Sequence, residues 1–106
     1  MVPEITAPEL AEKLKGPKPP LLIDVREPVE YAYCRIEGAH LKPLGGIMRW
    51  ANELDPEAEI ILHCHIGERS LAAAHYLQHL GFKRVVNLVG GIEAWALLVD
   101  PTVPRY

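Results

Sequence analysis

Cys64 and Arg69 are the residues whose chemistry and spacing are most informative in this sequence. A cysteine thiolate is a strong nucleophile, and cations or the N-terminus of a helix favour the thiolate form. The two residues bound a six-residue segment that contains Gly67, a residue that readily adopts positive φ. The amides of this segment are expected to curl around the sulfur and to favour an anion there, whether a thiolate, a persulfide or a bound oxyanion.

The elements on either side of this segment predict where it lies in a fold. The preceding run, Ile60 to Leu62, is continuously apolar, as in a strand covered on both faces of a parallel sheet. A helical spacing then starts at Ser70 and ends before Gly81, and it is carried by Leu71, Ala74, Leu77 and Leu80. Cys64 is therefore predicted at the carboxyl end of a strand, where ligands bind in open α/β sheets.

Two observations oppose a reactive role for Cys64. Cysteine is among the most buried residue types and often serves as a small apolar side chain at the end of a core strand. The carboxylate of Glu68 would disfavour a thiolate if it pointed inward, and we expect it to point outward. The glycine, the arginine and the following helix together favour the functional interpretation.

Four collinear segments resemble signatures of the rhodanese-type sulfurtransferases. The segment from Cys64 to Ser70 resembles their active-site loop, and Leu22 to Tyr31 resembles their first signature. Ile36 to His40 resembles the continuation of that signature, although residues 34–37 depart from the usual glycine, histidine, isoleucine and proline. Asn87 to Trp95 resembles the closing motif, so the resemblance extends over nearly the whole chain.

This resemblance implies a fold, a reaction and a set of site residues. The fold is α/β, with a five-stranded, mainly parallel sheet between helices on both faces, and residues 1–106 are expected to form one such domain. Cys64 is implied to be the nucleophile that carries sulfur as a persulfide, with no cofactor. The amides of the following segment would hold the terminal sulfur, and the implied substrate-binding residues are His65, Ile66, Gly67, Glu68, Arg69 and Ser70. Arg69 would also brace the loop and attract anionic donors.

The resemblance leaves alternative functions and several partners open. Related phosphatases and arsenate reductases have a loop one residue longer, so the length of this loop favours sulfur. A non-catalytic binding or regulatory module is the other alternative. Small sulfur donors and thiol acceptors are the implied substrates. The tail from Val99 to Tyr106 resembles that of rhodanese domains fused to adenylyltransferases, which suggests a sulfur-carrier protein or a cysteine desulfurase as partner; alternatively, the tail covers one sheet edge.

Other polar residues have structural interpretations. Asp24 and Arg26 share one side of a strand end, where they would either form the rim of the Cys64 pocket or, as we prefer, pair in a salt bridge. Cys34 is interpreted as a packed side chain rather than as a resolving thiol. No metal site is predicted, because the histidines and cysteines lack the spacing of a tetrahedral zinc site. His65 is expected either at the mouth of the pocket or simply exposed.

The composition is that of an ordinary globular domain, with 49% hydrophobic and 24% charged residues. A net charge of −3 provides no basic surface for nucleic acid or anionic membranes. We expect a cytoplasmic protein, because the apolar runs are short and the two cysteines form no disulfide framework. The other predicted strands are residues 4–5, 21–25, 39–41 and 85–88; the other predicted helices begin near Ala7 and Gly91, cover 28–33, and follow Ile47, Trp50, Ala51 and Leu54.

Overall fold

Strands and helices alternate along the whole chain, and the computed structural model describes all 106 residues. The strands are β1 (Glu4–Ile5), β2 (Leu21–Asp24), β3 (His40–Leu41), β4 (Ile60–His63) and β5 (Val85–Leu88). The helices are α1 (Ala7–Leu14), α2 (Pro28–Tyr33), α3 (Ile47–Trp50), α4 (Glu68–His79) and α5 (Gly91–Leu98). Two 3₁₀ turns, Leu44–Gly46 and Ala51–Glu53, flank α3. None of these helices is long and apolar enough to cross a membrane.

The strands form one five-stranded sheet in the order β1-β5-β4-β2-β3. Every neighbouring pair is parallel, which confirms the predicted α/β class and makes the sheet wholly rather than mainly parallel. Asp24 of β2 lies beside His63 of β4, and Leu62 of β4 lies beside Asn87 of β5. Because all strands run in the same direction, their carboxyl ends meet at one edge of the sheet, where ligands bind in such folds.

Each face of the sheet has its own hydrophobic core. One core combines Leu62 and Cys64 with residues of α3 and α4. The other combines Ile61 and Leu88 with residues of α1 and α5. Successive side chains of β4 therefore enter different cores, as strand geometry requires. This three-layer arrangement covers β4 on both faces and explains its continuously apolar sequence.

Local sequence accounts for where the helices begin. Thr6 and Glu9 form the predicted capping box at the start of α1, since each side chain accepts from the other residue's backbone amide. Gly67 precedes α4 and Gly90 precedes α5, and both have left-handed backbone conformations, with φ of 111° and 76°. Most other residue types would be strained at these positions. These two glycines therefore set where each helix can leave its strand.

The structure corrects several predicted boundaries. α4 begins at Glu68 rather than Ser70, so the loop after Cys64 is only three residues long. The buried stripe of α4 is Ser70, Ala73, Ala74 and Leu77, while Leu71 is half-buried and Leu80 is exposed. The predicted positions Ala74 and Leu77 are therefore confirmed as buried, whereas Leu71 and Leu80 lie outside the stripe that faces the sheet. β2 and β3 are each one residue shorter than predicted, and the helix containing Trp50 is a short α turn between two 3₁₀ turns.

Candidate active site

Cys64 immediately follows β4 and lies at the carboxyl edge of the sheet, as the sequence predicts. Cys64 is only 1% exposed, and its side chain belongs to the core beneath α4. The backbone amide of Gly67 donates a hydrogen bond to the sulfur, with an N to Sγ distance of 3.1 Å. The sulfur is therefore hydrogen-bonded to the loop that follows it, at a residue three positions further along the chain.

The hydroxyl of Ser70 and the side-chain amide of Asn87 form a hydrogen-bonded chain that ends at the same sulfur. Ser70 Oγ lies 3.4 Å from Cys64 Sγ and 2.6 Å from Asn87 Oδ1. The hydroxyl has only one hydrogen, so when it donates to Asn87 its oxygen can accept from a Cys64 thiol. When Cys64 is a thiolate, the same hydrogen can turn to the sulfur. Asn87 Nδ2 also lies 3.3 Å from the carbonyl oxygen of Gly67, to which it donates, and so ties β5 to the loop.

Free backbone amides lie around this sulfur. The first turn of a helix has no carbonyl one turn back, so the amides of Glu68, Arg69 and Ser70 have no partner within α4. None of the hydrogen bonds in loops and caps uses these three amides either. They add to the partial positive charge at the start of the helix. The arrangement can hold an anionic sulfur species, as the residue types predict.

The loop is supported from behind by the start of α5. The amide of Ile92 donates to the carbonyl oxygen of Cys64 at 2.9 Å, and the amide of Glu93 donates to that of His65 at 3.1 Å. Gly91 permits this approach, because an added Cβ would lie 2.4 Å from the Cys64 oxygen and 2.5 Å from the His65 oxygen. The carbonyl oxygens of Cys64 and His65 therefore accept hydrogen bonds from α5. The backbone amides of the loop stay available to the sulfur.

Arg69 pairs with Glu30 of α2 through two parallel hydrogen bonds of 2.7 and 2.9 Å. This bidentate geometry is the strongest that the two side chains can form. Hydrogen bonds from Arg69, aided by the backbone amide of Glu27 and by Tyr106, lower the pKa of Glu30 to about 2. Arg69 therefore braces the loop, as the resemblance implies, and its charge is compensated by a fixed carboxylate.

Asp24 and Arg26 form the salt bridge that we preferred from the sequence, with Arg26 Nη2 2.7 Å from Asp24 Oδ2. Both side chains are completely buried, so they support the edge of the sheet from inside. Burial lowers the pKa of Arg26, but its hydrogen bonds to Asp24 and Tyr106 outweigh burial and raise it. Arg26 also donates to the carbonyl oxygen of Cys34 at 2.6 Å. The pair anchors the chain after β2 and follows the rule that buried charges are paired.

The tail reaches the same edge of the sheet. The ring of Tyr106 stacks on His65, with centroids 4.0 Å apart and planes 9° from parallel. The hydroxyl of Tyr106 accepts from Arg26 at 2.9 Å and donates to Glu30 at 2.7 Å, while burial raises the pKa of Tyr106 to about 12. Arg105 pairs with Glu93 of α5. The tail therefore contacts α2, α5 and the loop rather than an edge strand.

The remaining predicted site residues differ in exposure. Ile66 and Glu68 are exposed, and Glu68 points into solvent without a hydrogen bond or ion pair. His65 is half-buried, and its Nε2 atom is enclosed without a partner. His63 is completely buried, 3.6 Å from Asp24, and burial lowers its pKa, so its ring is neutral.

Cys34 is a buried, free thiol, as predicted for a packed side chain. It belongs to the core beneath α1 and α5, whereas Cys64 belongs to the core on the opposite face of the sheet. The two cysteine side chains therefore pack in different cores. No cluster of three or more histidine, cysteine, aspartate or glutamate side chains converges anywhere in the structure.

Sequence reasoning missed four residues that shape the site: Glu30, Asn87, Gly91 and Tyr106. Asn87 carried a usable signal, since it is the one polar residue in an otherwise apolar strand. Glu30 and Gly91 lie in segments recognised by resemblance, but their contacts with the loop are not local in sequence. Tyr106 lies in the tail recognised by resemblance, but it comes 41 residues after His65, and nothing in the sequence indicated their contact.

Fold and site together define an α/β domain with a cysteine at a strand-to-helix junction, where the sulfur accepts from the Gly67 amide and lies beside the Ser70 hydroxyl. The family model described as "Rhodanese-like domain" matches residues 6–98. The chain belongs to this family, as the four collinear motifs predict.

Several relatives are named for sulfur transfer. A sulfurtransferase of Allochromatium vinosum is 38% identical, with 91% of this chain and 90% of that protein covered. Rhodanese-like/PpiC domain-containing protein 12 of Arabidopsis thaliana is 39% identical over 99% of this chain, which spans only 38% of that protein. The adenylyltransferase and sulfurtransferase MOCS3 of Drosophila persimilis is 37% identical over 92% of this chain and 23% of its own length. Two of these three proteins, those of Allochromatium vinosum and Drosophila persimilis, are named as sulfurtransferases.

Solved structures share the fold. The crystal structure of a rhodanese-like domain protein from Staphylococcus aureus has a TM-score of 0.86 and 31% identity, with 99% of each chain covered. The five-stranded sheet with helices on both faces is therefore the rhodanese fold.

Proposed function

We propose that this chain is a sulfurtransferase that carries sulfur as a persulfide on Cys64. The observation that carries the proposal is the hydrogen bond of 3.1 Å from the Gly67 amide to Cys64 Sγ, in a loop whose other amides are free. A thiolate at this position accepts from the Gly67 amide and, once the hydroxyl hydrogen turns toward it, from Ser70, and both hydrogen bonds are charge-assisted. Membership of the rhodanese-like family supports the same assignment.

The reaction has two steps with one covalent intermediate. The Cys64 thiolate attacks the sulfane sulfur of a donor, forming a sulfur–sulfur bond while the donor's own sulfur–sulfur bond breaks. With thiosulfate, the departing sulfite takes the electron pair; with a persulfide, the departing thiol takes the electron pair and the proton. The product on the protein is a Cys64 persulfide, and no oxidant or reductant is consumed.

The second step returns the enzyme to its starting state. An acceptor thiolate attacks the terminal sulfur of the Cys64 persulfide, and Cys64 leaves as a thiolate. Splitting the transfer in this way predicts ping-pong kinetics. His65 to Ser70 would bind the terminal sulfur through their amides, and Ser70 would follow the change of charge on the sulfur by turning its hydrogen. Asp24 and Arg26 would act indirectly, by fixing Tyr106 and the chain after β2.

The relatives named above suggest a relay in which the acceptor or donor is itself a protein. A sulfur-carrier protein and a cysteine desulfurase are the partners that we propose for this role. Both cysteines are free thiols, and Cys64 must stay reduced to act, so we propose a reducing compartment such as the cytoplasm.

Intact-protein mass spectrometry tests the proposal directly. After incubation with thiosulfate or with a cysteine persulfide, the wild type should gain the mass of a sulfur atom, and Cys64→Ser should gain none. Cys34→Ser serves as the matched control and should still gain sulfur. Absence of added sulfur on the wild type with every donor, or its retention in Cys64→Ser, would refute the proposal and leave the binding-module alternative.

A further inference from the structure

Three arginines at this site, Arg26, Arg69 and Arg105, are each paired with a carboxylate. Arg69 is held by both carboxylate oxygens of Glu30, and Arg26 is buried against Asp24. Arg105, which reaches the same region from the tail, pairs with Glu93. None of these three arginines therefore offers an unpaired positive charge to an anionic donor that approaches the loop.

Tyr106 keeps the Arg69 charge compensated. Its hydroxyl donates to Glu30 Oε2 at 2.7 Å, while the backbone amide of Glu27 donates to Oε1 at 3.0 Å. Both carboxylate oxygens of Glu30 therefore accept a hydrogen bond from a group other than Arg69. For Arg69 to turn toward a bound anion, it would have to leave two charge-assisted hydrogen bonds.

The one uncompensated charge on the loop is negative. Glu68 is exposed and forms no ion pair, and it is the first residue of α4, four positions after Cys64. A carboxylate near the entrance repels a dianion such as thiosulfate and attracts a donor with basic residues.

An apolar surface lies beside the same loop. Val29 and Tyr33 of α2, together with Tyr106, line a cavity of about 190 Å³. Val29 is 76% exposed and Tyr33 is 59% exposed. This surface is continuous with the loop, because Tyr106 stacks on His65 and the next residue, Ile66, is also exposed. A small inorganic anion gains nothing from such a surface, whereas a peptide segment can bury it.

We propose that this site takes sulfur from a cysteine persulfide on a protein segment with apolar and basic residues next to the cysteine, and that it discriminates against small dianionic donors. The inference rests on the proposed function. The Cys64 thiolate attacks the terminal sulfur of the donor persulfide; the bond between the two donor sulfurs breaks, and the donor cysteine leaves as a thiol. Glu30, Glu68 and Tyr106 are the residues that determine this specificity.

The experiment compares three donors by the rate at which Cys64 gains sulfur in intact-protein mass spectra. They are thiosulfate, the persulfide of the capped peptide Leu-Lys-Cys-Lys-Leu, and the same peptide with glutamate in place of both lysines. Each rate is divided by the rate of sulfur transfer from that donor to free N-acetylcysteine, which removes differences in intrinsic reactivity. The lysine peptide should exceed each of the other two donors by about tenfold, the factor expected from roughly 1.4 kcal/mol of charge interaction.

Charge variants test the residues that determine the preference. Glu30→Gln releases Arg69, and Glu68→Gln removes the free carboxylate, so each should raise the thiosulfate rate about tenfold relative to the lysine peptide. Glu57→Gln is the matched control, because Glu57 is an exposed glutamate paired with Lys83 at the opposite end of β4. It makes the same change in net charge and should leave the donor preference unchanged.

An apolar variant tests the docking surface. Val29→Ser should slow transfer from the lysine peptide severalfold and leave the thiosulfate rate unaffected. Leu80→Ser is the matched control, since Leu80 is an exposed leucine at the far end of α4. Circular dichroism on each variant checks that the fold is retained.

The outcomes separate this inference from the proposed function. If no donor adds sulfur to the wild type, the proposed function itself fails. If thiosulfate matches the lysine peptide, or if the two peptides react equally, sulfur transfer stands and the donor preference is overturned. The donor preference is also overturned if the wild type reacts fast with thiosulfate and Arg49→Gln abolishes that reaction. Arg49 is an exposed cation of α3 that takes no part in the hydrogen bonds among Arg69, Glu30 and Tyr106.

Discussion

Two neighbouring strand-to-helix junctions at the carboxyl edge of the sheet share a left-handed glycine before the helix but use their backbone amides differently. β4 leads through Gly67 into α4, and β5 leads through Gly90 into α5, with a left-handed glycine before each helix. At the first junction the amides face the sulfur of Cys64, as in the hydrogen bond from Gly67. At the second, amides of α5 are used up on the carbonyls of Cys64 and His65.

The comparison shows how one local motif becomes a site and the other becomes its support. A helix N-terminus offers unpaired amides wherever it occurs. What differs is the partner: a side-chain sulfur at β4, and the neighbouring loop's backbone at β5. The amides at the start of α5 hold the carbonyls of Cys64 and His65 in the loop after β4. The Gly67 amide of that loop is then free to donate to the Cys64 sulfur. Preorganisation of this kind is what electrostatic catalysis requires.

The largest expected effect comes from the supporting junction. Gly91→Ala would place a Cβ within 2.6 Å of two carbonyl oxygens, at a residue whose φ is +57°. Steric overlap and backbone strain together should lower the free energy of unfolding by about 3 kcal/mol or more. Urea denaturation followed by circular dichroism measures the change. A loss below about 1 kcal/mol would show that the loop yields easily.

Gly67→Ala should separate stability from activity at the sulfur junction. Gly67 has φ of +111°, but the nearest atoms to an added Cβ lie 3.6 Å away, so strain is the main cost. We expect about 1 to 2 kcal/mol of destabilisation and a clear loss in the rate of sulfur addition to Cys64. Gly81→Ala is the matched control, with φ of +99° and open space. It should lose similar stability with an unchanged rate; equal rates in both variants would argue against a role for the loop conformation.

Ser70→Ala probes the side-chain contribution to the same junction. It removes the hydroxyl 3.4 Å from Cys64 Sγ and leaves Asn87 Oδ1 without its donor. Losing one hydrogen bond to an anionic sulfur should slow sulfur addition about tenfold, and the buried amide should cost about 1 kcal/mol of stability. Single-turnover mass spectrometry measures the rate of sulfur addition, and urea denaturation measures the free energy of unfolding. An unchanged rate would assign Ser70 to structure alone.

The smallest effect is expected from pH, through His63. Burial lowers its pKa in the folded state, so the unfolded chain binds this proton more readily, below about pH 6.5. Stability from His63 is therefore complete above that pH and falls as the pH drops toward the lowered value. Thermal unfolding at pH 8 and pH 5 should show a decrease that is reduced in His63→Gln and retained in His75→Gln, an exposed control.

Much of the fold was predictable because its signals are local. The apolar runs of β4 and β5, the capping box at Thr6 and the spacing after Pro28 each depend on neighbouring residues, and the observed β1, α2 and β5 have the predicted bounds. The start of α4 was predicted two residues late because Glu68 and Arg69 carry no apolar signal. Packing against the sheet then buried the predicted Ala74 and Leu77 but left the predicted Leu80 exposed.

The sequence by itself determined where Cys64 and the loop around it lie, because Cys64, Gly67 and the first turn of α4 are contiguous and their geometry follows from a helix that starts beside a strand. Only the tertiary structure decided the charge of the site. Glu30, Arg69 and Tyr106 come from three separate parts of the chain, and their hydrogen bonds convert an apparently free arginine into a compensated one. Contacts between distant segments leave no periodic or local trace in a sequence, so the electrostatics of this loop depend on the fold.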